Sequence, residues 1–136
     1  MGNRRKAREC ALQVLYQMDL SGASSDDALR TFWANFEHST DVADFAAMLV
    51  QGVTAHRDEI DHLIQESSRN WKLDRMARVD RNILRLAVFE LMHLPEVPKK
   101  VTLNEAIEIG KRYGSEDSSA FINGILDHIC AGLRKE

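Results

Sequence analysis

Apolar residues recur at three- and four-residue steps along most of the chain, the spacing that places them on one face of an α-helix. The first stripe runs from Ala7 to Met18 and stops before Gly22, and later stripes cover residues 28–36, 42–53, 60–64, 106–113 and 121–133. No segment shows sustained alternation of β-branched and polar residues. The pattern predicts an all-α fold of about seven helices with short connections.

The stretch 79–94 differs because its apolar residues occupy more than one helical face. A helix of this kind is usually central and buried. The pattern is weakest in residues 66–78, where Trp71, Leu73 and Met76 are isolated apolar anchors. Helix-capping residues predict most of the boundaries. The predicted starts are Ser24 or Ser25, Thr40, Thr102 with Glu105 as a capping box or Pro98 earlier, and Ser115 or Ser118, and Gly114 is a predicted end.

The composition fits a protein that is not inserted in a membrane. Hydrophobic residues make up 44% of the 136 positions and charged residues 29%, and no run approaches the roughly 20 apolar residues of a membrane helix. No signal-type apolar segment follows the basic N-terminus, so we expect the cytoplasm. Cys10 and Cys130 each lie in an apolar helical pattern and are expected to be buried thiols rather than a disulfide.

The net charge of −3 does not predict a nucleic-acid ligand, but the distribution of charge is uneven. Four cations, Arg4, Arg5, Lys6 and Arg8, precede the first acid. A second basic series comprises Arg69, Lys72, Arg75, Arg78, Arg81 and Arg85. Cations at a helix start oppose the helix dipole and cost roughly 0.3–1 kcal/mol each. The cluster therefore indicates an anionic partner, although a solvated basic tail is the alternative.

Aromatic residues favour the first of these readings, because single-stranded RNA is bound by cations and planar side chains together. Tyr16 lies on a face adjoining Arg5 and Arg8, Tyr113 lies in the turn before the last helix, and Phe121 falls near the start of that helix. Each could equally belong to the core, and spacing alone does not bring them together.

No pattern of residues predicts catalysis. The chain has neither a nucleophile-elbow motif nor a glycine-rich phosphate loop. Asp58 and His62 are four apart, as metal ligands can be, but such a pair on an acidic surface is far more often a solvated face. We expect no catalytic residue, no cofactor and no metal ion, and interpret the chain as a binding module.

Two stretches resemble the NusB family of transcription antitermination factors. Residues 4–20 read RRKARECALQVLYQMDL, and the C-terminal block contains VDRNILRLAVFEL at 79–91, LNEAIE at 103–108, YGSEDS at 113–118 and FINGIL at 121–126. The resemblance covers nearly the whole chain and is weakest between residues 21 and 70. It implies two packed helical bundles within one NusB-like unit over residues 1–136, divided into subdomains at about 1–70 and 71–136.

The resemblance also implies a function. NusB-like proteins bind the boxA element of nascent RNA together with the ribosomal protein NusE, and help RNA polymerase read through terminators in ribosomal RNA operons. The RNA surface carried over by position comprises Arg4, Arg5, Lys6, Arg8, Tyr16, Tyr113, Asp117 and Phe121. The protein-partner surface lies around Asp74, Asp80 and Arg81.

Three further residues are interpreted structurally. The amides of Asn104 and Asn123 are expected to satisfy buried backbone groups between the last two helices, and Gly124 to let those helices approach closely. Two alternatives to the RNA adaptor remain. One is a fragment of an RNA cytosine methyltransferase that carries a similar helical module, and the other is an interaction module that forms homodimers.

Overall fold

The computed structural model describes residues 2–36 and 38–133. Within them the all-α prediction is confirmed, with seven α-helices and one 3₁₀ turn. The helices are α1 (Gly2–Ser21), α2 (Ser25–Asn35), α3 (Thr40–Ala55), α4 (Arg57–Ser67), α5 (Arg78–His93), α6 (Lys99–Tyr113) and α7 (Ser118–Ala131), and the turn is Leu73–Arg75. None of these helices is both long and apolar enough to cross a bilayer.

The predicted central helix is confirmed as α5. Residues 82–91 of this helix are all buried, and it packs against α1, α3, α4, α6 and α7. One hydrophobic cluster extends from Ala7 on α1 to Cys130 on α7, and both cysteines are buried and form no disulfide within the described residues. Since α4 packs on both α5 and α7, the core is continuous across residue 70. The division into two subdomains stays a prediction.

Most helix boundaries follow from capping, with two corrections. Ser24 caps α2 as predicted, because its hydroxyl accepts a hydrogen bond from the backbone N–H of Asp27. Ser39, not Thr40, caps α3 in the same way. The capping box at Thr102 is wrong: α6 begins after Pro98, and the buried Thr102 hydroxyl donates to Glu90 on α5. Thr102 therefore serves packing between helices rather than a helix end.

Candidate nucleic-acid interface

Arg8 is not part of the basic surface at the start of α1, contrary to the sequence prediction. Its guanidinium is 6% exposed and donates two hydrogen bonds, at 2.7 and 2.8 Å, to the carboxylate of Glu90, which is 2% exposed. The hydroxyl of Thr102 donates to the same carboxylate. A buried charge must be paired because desolvation is costly. The structure therefore assigns Arg8 to the core, where it joins α1 to α5.

The other three cations are exposed but differ in their contacts. Arg5 donates two hydrogen bonds to Glu105 on α6, at 2.9 and 2.7 Å, and this contact holds the pKa of Glu105 below its usual value. Arg4 lies over the ring of Phe45, 4.4 Å from its centroid. Lys6 makes no side-chain hydrogen bond or ion pair with any residue in the described ranges. Arg4 and Lys6 are therefore the cations most available here to an anionic ligand.

The end of α6 lies beside α1 and adds a cation that sequence analysis did not single out. Arg112 donates to Glu9 on α1 at 3.1 Å, and its guanidinium lies 5.7 Å from the ring centroid of Tyr113. Burial and the carboxylate of Glu9 raise the pKa of the Tyr113 hydroxyl, so the phenol stays neutral and can donate. Tyr16 is half-exposed seven residues after Glu9, on the same face of α1.

The turn between α6 and α7 is held by a buried hydroxyl. Ser118 donates to Asp80 at the start of α5, at 2.6 Å, and accepts from the backbone N–H of Ser115. A Cβ at Gly114 would overlap the Ser118 hydroxyl, which explains the glycine there. Asp117 precedes α7 and is exposed. Asp80 is itself buried, so its predicted place on a partner surface is corrected to a structural role.

Phe121 has an aromatic neighbour that the sequence did not reveal. The ring of Trp71 stands edge-on to Phe121 with centroids 6.1 Å apart, and Trp71 is 56% exposed. The expectation that Trp71 is a buried anchor is therefore wrong. Four exposed cations of the second basic series surround Trp71 in sequence and form no side-chain ion pair with residues that the structure describes. They are Arg69, Lys72, Arg75 and Arg78.

Arg81 is also corrected from a partner surface to a structural role. Its side chain is 13% exposed, and it contacts Asp19 on α1 and donates to the backbone carbonyl of Leu73. Arg85 and Asn82 contact the same Asp19 carboxylate, at 3.4 and 3.0 Å. Of the three predicted partner residues, only Asp74 is exposed.

The predictions for the last two helices are wrong in detail. Asn104 is exposed and Asn123 partly exposed, and neither forms a side-chain hydrogen bond to a backbone group in the described chain. Gly124 has open space around it. The close approach lies instead at Gly110, where a Cβ would come within 3.1 Å of Ile122. Backbone contact between these helices is made by Ser119, which donates to the carbonyl of Ile107.

An open groove of about 680 Å³ lies between the start of α1 and the α5–α6 connection. Arg4 and Arg5 line one side, with Pro98, Val101 and Glu105 on the other. The candidate interface therefore has two parts, the α1–α6 surface and the aromatic pair. The α1–α6 surface comprises Arg4, Lys6, Tyr16, Arg112 and Tyr113. The aromatic pair comprises Trp71 and Phe121, and the four exposed cations lie near Trp71 in sequence.

Comparisons with known proteins identify the fold and the family. The family model described as NusB family matches residues 5–131. The transcription antitermination protein NusB of Myxococcus xanthus (strain DK1622) is 52% identical, over 99% of this chain and 99% of that relative. T. maritima NusB superposes with a TM-score of 0.86 at 35% identity, over 95% of this chain and 91% of that structure.

A further solved structure includes the partners of a NusB protein. It is a crystal structure of antitermination factors NusB and NusE in complex with dsRNA, and the matched chain superposes with a TM-score of 0.87 at 30% identity. The match covers 98% of this chain and 99% of that one. The profile match and the full-length relatives agree with the motifs in residues 4–20 and 79–126. The chain belongs to the NusB family.

Proposed function

We propose that this protein is a non-catalytic adaptor of transcription antitermination that binds single-stranded boxA-type RNA together with NusE. It acts in the cytoplasm and supports read-through by RNA polymerase in ribosomal RNA operons. It acts by assembling a complex with RNA and NusE. Its cations bind phosphates, while its aromatic faces and polar groups contact exposed bases. The relatives' shared name supports the antitermination role, and the solved complex of NusB and NusE with dsRNA supports RNA and NusE as partners. The preference for a single strand rests on the aromatic residues described next.

The observation that carries the proposal is the aromatic pair. Trp71 and Phe121 present two rings at right angles, one more than half exposed. Four cations near Trp71 in sequence form no side-chain ion pair with any described residue. Base stacking on aromatic side chains is worth about 1–3 kcal/mol per base, and lysine and arginine neutralise the phosphates that flank the bases. Such a surface suits unpaired nucleotides better than duplex, in which the bases are not accessible for stacking.

The α1–α6 surface extends the same interface. Arg4 and Lys6 supply charge, and Arg112 with Tyr113 supplies a cation beside a neutral phenol. Asp117 is exposed just before α7, and we propose that its carboxylate accepts hydrogen bonds from base amino groups. Arg5 contributes a guanidinium that is already paired with the carboxylate of Glu105. Arg8 acts only by holding α1 against α5.

The protein partner is proposed to dock around Asp74. This residue lies in the 3₁₀ turn, three residues after Trp71, so a partner seated there would adjoin the aromatic pair. Adjacent binding surfaces explain why NusE and RNA should favour each other's binding. The alternative is a homodimer that covers these surfaces, and light scattering with and without RNA distinguishes the two by mass.

Trp71→Ala and Phe121→Ala are each expected to weaken binding of boxA-like RNA by about 5- to 150-fold, the equivalent of one lost stacked base. The measurement is a fluorescence anisotropy titration of boxA-like, scrambled and duplex RNA, with and without NusE. Phe121→Ala should mainly reduce the preference for boxA over the scrambled sequence. Phe36→Ala is the matched control, because Phe36 is 52% exposed but lies at the end of α2.

Equal losses for Phe36→Ala and Trp71→Ala would contradict the aromatic site, as would duplex RNA that binds as tightly as the single strand. Trp71 and Phe36 are exposed, whereas Phe121 is partly buried and packs against the core. Circular dichroism should therefore establish that each variant keeps the wild-type helix content before the RNA affinities are compared. A loss confined to titrations that contain NusE would instead assign Trp71 to the protein partner.

Salt dependence tests the electrostatic part separately. If about four phosphates are neutralised, the logarithm of RNA affinity should fall with the logarithm of salt at a slope near −3. Arg4→Ala with Lys6→Ala should make that slope shallower by about 0.7 per lost phosphate contact. These two positions avoid the core pair of Arg8, so stability is preserved. Affinity that does not change with salt would refute this part of the proposal.

A further inference from the structure

Three metal-binding side chains converge on the side of the molecule where α3, α4 and α5 meet. His56 joins α3 to α4, Glu59 lies in the first turn of α4, and His93 lies in the last turn of α5. Glu59 Oε1 is 3.2 Å from His93 Nε2 and 3.7 Å from His56 Nδ1. One donor atom from each side chain lies within 4.8 Å of the other two. Sequence spacing did not reveal the group because His93 lies 34 residues beyond Glu59.

The two imidazoles stack on each other and on the ring of Phe89. The rings of His56 and His93 stack with centroids 4.0 Å apart, and the ring of Phe89 lies 5.3 Å from His93 and 6.2 Å from His56. Phe89 fits there only because position 52 is glycine, since a Cβ at Gly52 would overlap the ring. The stack brings the two imidazoles together, and it must open by side-chain rotation for both ring nitrogens to face one ion.

Two helix C-terminal ends near the group favour a cation. His56 follows the last residue of α3, and His93 lies in the final turn of α5, so both helices point their C-terminal ends towards the group. The C-terminal end of a helix carries partial negative charge from its unsatisfied carbonyls and stabilises positive charge. The start of α4, where His56 and Glu59 lie, carries the opposite partial charge. The carboxylate of Glu59 offsets it, with its Oε1 3.2 Å from His93 Nε2 and 3.7 Å from His56 Nδ1.

We infer that His56, Glu59 and His93 bind a divalent transition-metal ion, with Zn²⁺ as the fitting probe. Two imidazole nitrogens and a carboxylate oxygen are a donor set that zinc accepts, with water in the fourth position. Tetrahedral coordination at about 2.1 Å places donors about 3.4 Å apart, so the widest separation must close by side-chain rotation. The side chains are 43%, 52% and 29% exposed, which leaves them room to do so.

A bound ion would join the α3–α4 junction to the end of α5. The three ligands come from two segments of the chain, so the ion acts as a cross-link between them. Because ligands that bind only the folded state stabilise it, Zn²⁺ raises the melting temperature of the protein. The RNA surfaces proposed above contain none of these residues, so this inference is independent of the proposed function.

The test is calorimetric titration of the untagged full chain with Zn²⁺ in a thiol-reducing buffer, together with the visible absorption of the Co²⁺-loaded protein. We expect one site, a tetrahedral Co²⁺ spectrum, and at least a tenfold loss of Zn²⁺ affinity in both Glu59→Gln and His93→Ala, which is about 1.4 kcal/mol. The control is His62→Ala on α4, because His62 pairs with Glu66 at 3.4 Å and no third potential ligand among the described residues joins them.

The inference is overturned if Zn²⁺ shows no saturable one-site binding, or if His62→Ala loses as much affinity as Glu59→Gln. It is also overturned if Glu59→Gln binds Zn²⁺ as wild type does. Should His93→Ala disturb the stack on Phe89 and unfold, Glu59→Gln still decides the result, because the Glu59 side chain is more than half exposed.

Discussion

Glu90→Gln is expected to lower the free energy of unfolding by about 3–5 kcal/mol, because it leaves the buried guanidinium of Arg8 without its countercharge. The substitution keeps the size and shape of the side chain, so the loss reports charge rather than packing. Both partners are nearly inaccessible to solvent, and the one further carboxylate paired with Arg8 among the described residues is that of Glu105, at 3.8 Å. Urea denaturation followed by circular dichroism gives the free energies.

The same chemical change at an exposed ion pair is the control. Glu108→Gln removes a pair with Lys111 whose side chains are 49% and 62% exposed, and exposed pairs contribute about 0–1 kcal/mol. A double variant, Arg8→Met with Glu90→Leu, should recover most of the stability because no unpaired charge remains. If Glu90→Gln and Glu108→Gln lowered the free energy of unfolding by similar amounts, the buried pair of Arg8 and Glu90 would not be the cause of the destabilisation.

The helical fold could be predicted from the sequence because its signals are local. The apolar period marks the helices, and capping serines, prolines and glycines mark their ends, as Ser24 and Gly114 show. Thr102 was misassigned because a capping box and a buried hydroxyl have the same sequence spacing. Only the acceptor on α5, twelve residues earlier, distinguishes them.

The candidate interface was less predictable because charge in a sequence does not show where a side chain is paired. Arg4 and Arg8 look equivalent, yet the partner of Arg8 lies 82 residues away. One local signal was available: Arg8 precedes the buried Leu12 and Leu15 by four and seven residues, and so shares their helical face. The sequence does not reveal that Trp71 is exposed, because the weak apolar pattern of residues 66–78 assigns it to no helical face.

The VDRNILR motif illustrates the same limit. Its polar residues invite a functional reading, but the structure uses them within the fold. Asp80 accepts from Ser118, while Asn82 and Arg85 contact Asp19 on α1. Arg85 also donates two hydrogen bonds to Asp61 on α4, at 2.8 and 3.0 Å. The motif therefore fixes α5 to its neighbours and positions the surfaces on either side.

Asp19→Asn is expected to lower the free energy of unfolding by about 3 kcal/mol at pH 7, because it removes the anion shared by buried donors. Burial alone would raise the pKa of Asp19, but the hydrogen bond from Asn82 and the charges of Arg85 and Arg57 hold it below its usual value. A lowered folded-state pKa means that this stabilisation is present above the unfolded value near 3.9 and is lost as the pH falls through the folded-state pKa.

Wild type should therefore lose stability steeply in acid, and Asp19→Asn should show a shallower decline over the same range. Asp127→Asn is the matched control, because Asp127 is exposed on α7 and forms no side-chain ion pair with a residue that the structure describes. Urea titrations from pH 7 to below the unfolded pKa give the comparison. If the free energy of unfolding fell in parallel for Asp19→Asn and wild type as the pH is lowered, the acid sensitivity would arise from groups other than Asp19. A shallower slope for Asp19→Asn alone assigns it to the contact between α1 and α5.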